Sequence, residues 1–330
     1  MMHLSTALSA ALAAVILSSA AQTTLAQSAW KPEKNVQIVV PAAAGGGTDR
    51  TARAIQRIFQ TTKAVTVPVV VNNKAGGGGS IGWTYIAQYA GNPHYLAMTQ
   101  PALLTNFITG ASKLDPKTLT PIAQLSNEYI GFTVRADSGI RSASDLVERL
   151  RKDPQSVVFG VSNALGAPGH IALALVARAI KADMKKMRVV VFASGGKSRT
   201  ALLGGHVDVV PSTVGNLVAS VQSGKLRVVA VSAPTRLTGV FAQVPTWKEQ
   251  GLDAVVGNWR GITGPPKLDR AQVGFWEAAF LRMTQTEDWR SELEKDSAQA
   301  DFMNSVDSGR FLEAQFDELR RILVELELAK

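Results

Sequence analysis

Val36-Gln37-Ile38-Val39-Val40-Pro41-Ala42-Ala43-Ala44-Gly45-Gly46-Gly47-Thr48-Asp49 is the stretch on which the reading of this chain turns. Its first half is a short apolar run stopped by Pro41, the pattern of a buried strand. Three glycines follow. Beyond them, residues 48–60 place Ala52, Ile55, Ile58 and Phe59 on one helical face. A strand turning through glycine into a helix is a building unit of α/β proteins, and the junction has chemistry of its own. Without a Cβ the turn lets a ligand approach the main chain, and the N–H groups of the turn and of the helix start converge on an anion. A plain turn in which Thr48 or Asp49 caps the helix accounts for the same residues. The stretch alone leaves both readings open.

The alternation continues outward. Strands are expected at residues 65–71, 95–98, 129–134, 157–161, 188–192, 207–210, 226–231 and 254–256, and helices at 80–89, 169–180, 198–203 and 215–221. This predicts an α/β fold with parallel sheets covered on both faces. Residues 270–330 carry no strand pattern and read as packed helices, one with Phe311, Leu312, Gln315, Phe316 and Leu319 along a face. They are too few for a domain and should return to the first unit. The chain then crosses twice between lobe 1 (27–128 plus 257–330) and lobe 2 (129–256), with a cleft between them.

The 330 residues, 46% apolar, suffice for two such units and exclude a disordered chain. The absence of cysteine excludes disulfides, thiolate metal sites and a cysteine nucleophile. His3, His94, His170 and His206 have no metal-ligand spacing, so neither metal nor cofactor is expected. A net charge of +9 is spread singly or in pairs, and aromatics are 6%; this argues against nucleic acid and for a diffuse field attracting anions and anionic membrane surfaces. Residues 1–26 hold no Asp, Glu, Lys or Arg, residues 8–21 form an apolar core, and Thr24 and Ala26 stand at −3 and −1. That predicts a signal peptide cleaved after Ala26, although its start offers only His3, and export to a periplasm.

Two further junctions carry glycine. In Lys74-Ala75-Gly76-Gly77-Gly78-Gly79-Ser80-Ile81-Gly82, three glycines match a dinucleotide fingerprint, but residues 91–113 lack the acidic partner, and no Gly-Lys-Ser/Thr completes a phosphate loop. In Gly160-Val161-Ser162-Asn163-Ala164-Leu165-Gly166-Ala167-Pro168-Gly169-His170, Ser162 sits in a weak nucleophile-elbow context, with Asp183 and His206 as the available partners. An exported α/β serine hydrolase is the alternative function this leaves.

In this order, the three junctions, Leu202-Leu203-Gly204-Gly205-His206-Val207-Asp208, Val244-Pro245-Thr246 and Trp259-Arg260-Gly261 resemble the periplasmic solute-binding proteins of tripartite tricarboxylate transporters, the Bug or TctC-like receptors. The resemblance covers essentially the whole chain after residue 26. It implies a type II periplasmic-binding-protein-like fold, two lobes joined by two crossing strands, capture of a small organic carboxylate by hinge closure, and delivery to membrane permease subunits by a monomeric, non-enzymatic receptor. Ligand contacts are then expected at Ala43, Gly45, Gly46, Gly47, Thr48, Asp49, Gly78 and Ser80 in one lobe, and at Ser162, Asn163, Gly166, Ala167, His170, Ser194, Gly195 and Asp208 in the other. Arg260, near a crossing, reads equally as a carboxylate partner or as half of an ion pair. Three positions depart from the family pattern: Ala42 replaces a frequent aromatic, Ala167 a hydroxyl residue, and Ala193-Ser194-Gly195 a Lys-Gly-Gly turn.

Overall fold

Helices cover both faces of β1 (Val36–Val40), and Val36, Ile38, Val39 and Val40 are fully buried. Beside it lie β2 (Val69–Asn73), β3 (Tyr95–Thr99), β4 (Thr120–Asn127), β10 (Arg260–Gly264) and β11 (Gln299–Met303), in the order β11-β4-β10-β3-β1-β2. The computed structural model describes residues 30–162 and 164–330. The expected signal peptide and Asn163 lie outside the described residues.

A second group comprises β5 (Ile130–Arg135), β6 (Val158–Ser162), β7 (Arg188–Phe192), β8 (Val210–Thr213) and β9 (Leu226–Val231). Three of them run β8-β5-β9, and β6-β7 joins through a bridge between Phe159 and Val209, giving β7-β6-β8-β5-β9. The two halves therefore repeat one plan, β2-β1-β3-β10-β4 against β7-β6-β8-β5-β9. In each, the fourth strand comes from the other side of a crossing and runs antiparallel to its neighbours. The sheets are accordingly mixed rather than parallel. The crossings touch each other, through a bridge between Tyr129 and Gly257 and a 2.7 Å bond from Asn258 N–H to the Glu128 carbonyl. This is the two-lobed periplasmic-binding arrangement.

The helices are α1 (Gly47–Thr62), α2 (Ser80–Ala87), α3 (Ala102–Ile108), α4 (Ala143–Lys152), α5 (Pro168–Ala179), α6 (Gly195–Leu203), α7 (Val218–Gln222), α8 (Arg270–Thr284), α9 (Glu287–Lys295) and α10 (Ser305–Glu325). On α1 the expected face, Ala52, Ile55, Ile58 and Phe59, is wholly buried. A reciprocal capping box of Asp269 and Gln272 starts α8. Among the described residues no helix is long and apolar enough to cross a membrane.

Two further expectations fail. Residues 254–256 form no ladder strand, and β11 stands where only helices were expected. That strand is a half-exposed edge of five residues, Gln-Ala-Asp-Phe-Met, and it is held by β4 rather than by a pattern of its own. The C-terminal helices do return to the first sheet, but α10 goes further. Its Leu319, Ile322 and Leu323 share one apolar cluster with Ile108 of α3, Ile171 of α5 and Trp259 of the second crossing. Residues 32–330 thus form one compact unit, within which the chain changes sheet between β4 and β5 and again between β9 and β10.

Candidate functional site

The chain leaves β1 toward β2 and then returns past it to β3, which makes the carboxyl end of β1 a topological switch point, the place where α/β sheets bind their ligands. The glycine turn occupies that point. Gly45 has φ +81°, the left-handed region that favours glycine. Gly46 caps α1 in an extended conformation, with no side chain bonded to the helix start. The N–H groups of Gly46, Gly47, Thr48 and Asp49 consequently have no partner among the described residues. Free N–H groups and the positive end of a sixteen-residue helix point the same way, to an anion.

Asp49 and Thr48 hold this turn from behind rather than capping it. The Asp49 carboxylate accepts from Gly45 N–H (2.8 Å), Arg53 Nε (3.0 Å) and Asn73 Nδ2 (2.9 Å). Burial opposes its ionisation, but these hydrogen bonds outweigh that and keep the carboxyl below its ordinary range. The Thr48 hydroxyl donates to Gln100 Oε1 at 2.7 Å, tying the loop after β1 to the loop after β3. Gly45 N–H and the Thr48 hydroxyl, both expected to face ligand, are thus already engaged. Ala43 is exposed at the start of the turn.

The second glycine run abuts the first. A Cβ on Gly82 would lie 2.9 Å from Pro41 Cα, so α2 can pack this close only as glycine. Gly78 and Ser80 are fastened to α3, because Asn106 Nδ2 donates to the Gly77 and Gly78 carbonyls and to Ser80 Oγ.

In the second half, Ser162, Ser194 and Gly195 come together where β6 ends and α6 begins. Ser162 Oγ bonds Ser198 Oγ at 2.8 Å, Ser198 Oγ donates to the Gly195 carbonyl, and Ser194 caps α6. A Cβ on Gly195 would lie 3.8 Å from both Ser162 Oγ and Asn216 Nδ2. The hydrolase alternative finds no support here: the Ser162 hydroxyl meets a serine, Asp183 caps the turn before β7, and His206 lies against Gly204. Asp208 is not part of the group. Its carboxylate accepts from Val158 N–H, at the opposite end of β6.

Gly166, Ala167 and His170 form the start of α5, again without a side-chain cap. Gly166 N–H donates to His170 Nδ1 at 3.0 Å, so that N–H is spent within the loop, while those of Gly169 and His170 are free among the described residues. Burial pushes the His170 imidazole down to about 4 and keeps it neutral. Because the unfolded chain takes up that proton near 6.5, the native state should lose stability as pH falls from 6.5 toward 4, by up to about 3 kcal/mol. A His170→Asn variant, which keeps an acceptor for Gly166, should show a flatter unfolding-temperature profile over that window; an unchanged profile would clear His170 of the effect.

Arg260 lies between the halves and is 5% exposed. It pairs with Glu128 of the first crossing (2.9 Å) and donates to Asn258 Oδ1 (2.9 Å), and Asn258 in turn donates to Thr213 at the end of β8. A Cβ on Gly47 would stand 3.6 Å from Arg260 Nη2, so the guanidinium backs the α1 turn while facing Glu128. Of its two sequence readings, this is the ion pair. Gln100, Glu128, Ser198, Asn216 and Asn258 gave no motif signal, since each acts through a partner distant in sequence. Two cavities adjoin these elements without being lined by the turn residues 43–49: about 230 Å³ between α5, α10 and the crossings, and about 20 Å³ beside Glu128, Arg50 and Asp296.

A family profile described as the tripartite tricarboxylate transporter family receptor matches residues 52–328. A UPF0065 protein of Cupriavidus necator is 27% identical over 321 residues, which cover 97% of this chain and 96% of that protein. MatC of Rhodopseudomonas palustris, solved with bound malate, superposes with a TM-score of 0.75 at 24% identity, over 88% of this chain and 99% of its own. Another R. palustris protein, solved with adipate, gives 0.80 at 21%, over 90% and 99%. The two structures share the fold, and the profile match places the sequence: the chain belongs to the receptors of the tripartite tricarboxylate transporter family.

Proposed function

We infer that the protein is an exported receptor that captures a small organic carboxylate between its two halves by hinge closure and delivers it to membrane subunits of a tripartite transporter. The observation that carries this is the uncapped start of α1, with the N–H groups of residues 46–49 free and a buried guanidinium behind them. The start of α5 offers a second, smaller set of N–H groups from the other half. Two helix starts on two lobes suit a molecule with two carboxylates, which is what the malate- and adipate-bound structures hold. On this reading residues 1–26 direct export to the periplasm, the lobes are 27–128 plus 257–330 and 129–256, and the chain works as a monomer without catalysis.

A thermal-shift screen of the chain from Gln27 against mono-, di- and tricarboxylates tests it. A ligand at about 100 times its Kd should add about 2.7 kcal/mol of stability. No shift with any carboxylate, together with ester hydrolysis lost in Ser162→Ala, would reverse the reading.

Closure makes a separate claim. A Cβ on Gly215, in the turn after β8, would lie 2.8 Å from the main-chain oxygen of Asp296 at the end of α9. Backbone cannot swing aside, so Gly215→Ala should oppose this approach of the halves at a cost of about 1–3 kcal/mol. If the lobes open and close, the open form escapes that cost. Titration calorimetry should then show about 5- to 150-fold weaker ligand binding with little change in unfolding temperature. A loss of stability with affinity unchanged would mean the halves do not separate, because the strain would then be present with and without ligand.

A further inference from the structure

Charge divides unevenly between the two halves. Residues 129–256, which hold β5 to β9, carry sixteen Lys and Arg against eight Asp and Glu, a net of +8. The rest of the chain carries nineteen against eighteen, a net of +1. Nearly all of the protein's net positive charge thus belongs to one lobe.

Part of that charge gathers at one pole. β6 and β7 run parallel with Val158 beside Arg188, so the segments leading into them are neighbours. One brings Arg151 and Lys152 from the end of α4, and the other brings Lys181 and Lys186. All five cations are exposed, and none has an ion pair among the described residues. Acids stand among them: Asp153, Asp183 and Asp208 each accept from a backbone N–H, Glu327 pairs with Lys185, and Glu148 lies on α4. They soften the local field but leave the lobe at +8. Next to the cations, β7 is a free sheet edge on which Val190 and Val191 are 42% and 46% exposed. The opposite ends of β6 and β7 carry Ser162 and Phe192, so this pole lies a strand's length from the proposed ligand site.

Here the side chains are long, solvated and unpartnered around two exposed valines, which suits a surface supplying many phosphates in no fixed arrangement. We propose that the 129–256 lobe is the face this receptor turns toward an anionic phospholipid surface, with Arg151, Lys152, Lys181, Lys186 and Arg188 against the headgroups. The proposal rests on the reading of the protein as the partner of a membrane transporter. It adds weak, reversible, salt-sensitive adsorption that holds the receptor near the bilayer in one orientation.

Co-sedimentation of the chain from Gln27 with vesicles tests it. Binding should be clear on equimolar phosphatidylglycerol and phosphatidylcholine at low salt, fall steeply toward 0.15 M salt, and be absent on phosphatidylcholine alone. Reversing Arg151, Lys152, Lys186 and Arg188 to Glu should lower the partition at least tenfold. Reversing Lys113, Lys117, Arg270 and Arg282, an equal change on the other lobe, should lower it less than threefold. Neither set touches the proposed ligand site, so thermal shifts with carboxylate should persist in both; their absence in the unaltered chain would count against the receptor reading, not this one. Equal losses from the two sets, or no dependence on phosphatidylglycerol, would overturn the proposal. So would binding to native membranes alone that protease treatment of those membranes abolishes, which would assign the pole to a protein.

Discussion

Gly46→Val is expected to abolish carboxylate binding while leaving the fold intact. The backbone at residue 46 has φ −77° and ψ 170°, which valine adopts without strain. A Cβ there would meet only the Ala43 carbonyl oxygen, at 3.6 Å, so the apo protein accommodates it. The branched side chain would, however, stand beside the free N–H groups of residues 46–49, where an anion must come within hydrogen-bonding distance. Each charge-assisted bond of that kind contributes about 1.5–3 kcal/mol, so losing two weakens binding by roughly two to four orders of magnitude. Calorimetry with the ligand found by the screen reads this directly, and an unchanged unfolding temperature shows that the turn itself survives. Normal binding by the variant would reduce the glycine turn to a turn and place the site elsewhere.

That turn was legible because its parts are local. A short apolar run, a glycine cluster and a helical face lie within twenty-five residues, and each obeys a rule that needs no partner. The alternation of strands and helices was readable for the same reason. The roles inside the turn were only half readable. Thr48 and Asp49 are the residues from which a helix cap is usually drawn, yet both point backward, because Gln100 just after β3 and Asn73 at the end of β2 stand behind them. Spacing along the sequence does not carry that information. Asp208 failed similarly: its position after two glycines is that of a loop residue, but strand pairing sends it to the end of β6 away from Ser162. β11 went unseen because its backbone partner, β4, lies more than 170 residues earlier. Glu128 was invisible as half of a pair whose other half is 132 residues on.

Breaking that pair should destabilise the protein more than any other single change at the crossings. Glu128 and Arg260 are 4% and 5% exposed and meet at 2.9 Å. Arg260 Nη1 is shared among the Asn258 carbonyl, Asn258 Oδ1 and the Trp259 carbonyl, while its Nε has no partner among the described residues. Removing either member strands a buried charge, so Glu128→Met and Arg260→Met should each cost about 3–5 kcal/mol in urea unfolding. The double variant leaves no such charge and should cost less than either single one. The pH dependence separates the two singles. Burial pushes the Glu128 carboxyl above its ordinary range, the Arg260 charge pulls it down, and Asp296 pushes it up again. Without Arg260 it rises further, so the native state holds that proton more tightly than the unfolded chain. The cost of Arg260→Met is then full above the raised folded value and shrinks as pH falls through it toward 4.5, where the unfolded carboxyl also takes a proton. The guanidinium left by Glu128→Met cannot be neutralised in that range, and its cost should stay constant. Additive single costs in the double variant, or parallel pH profiles for the two singles, would show that the pair contributes by packing rather than by charge.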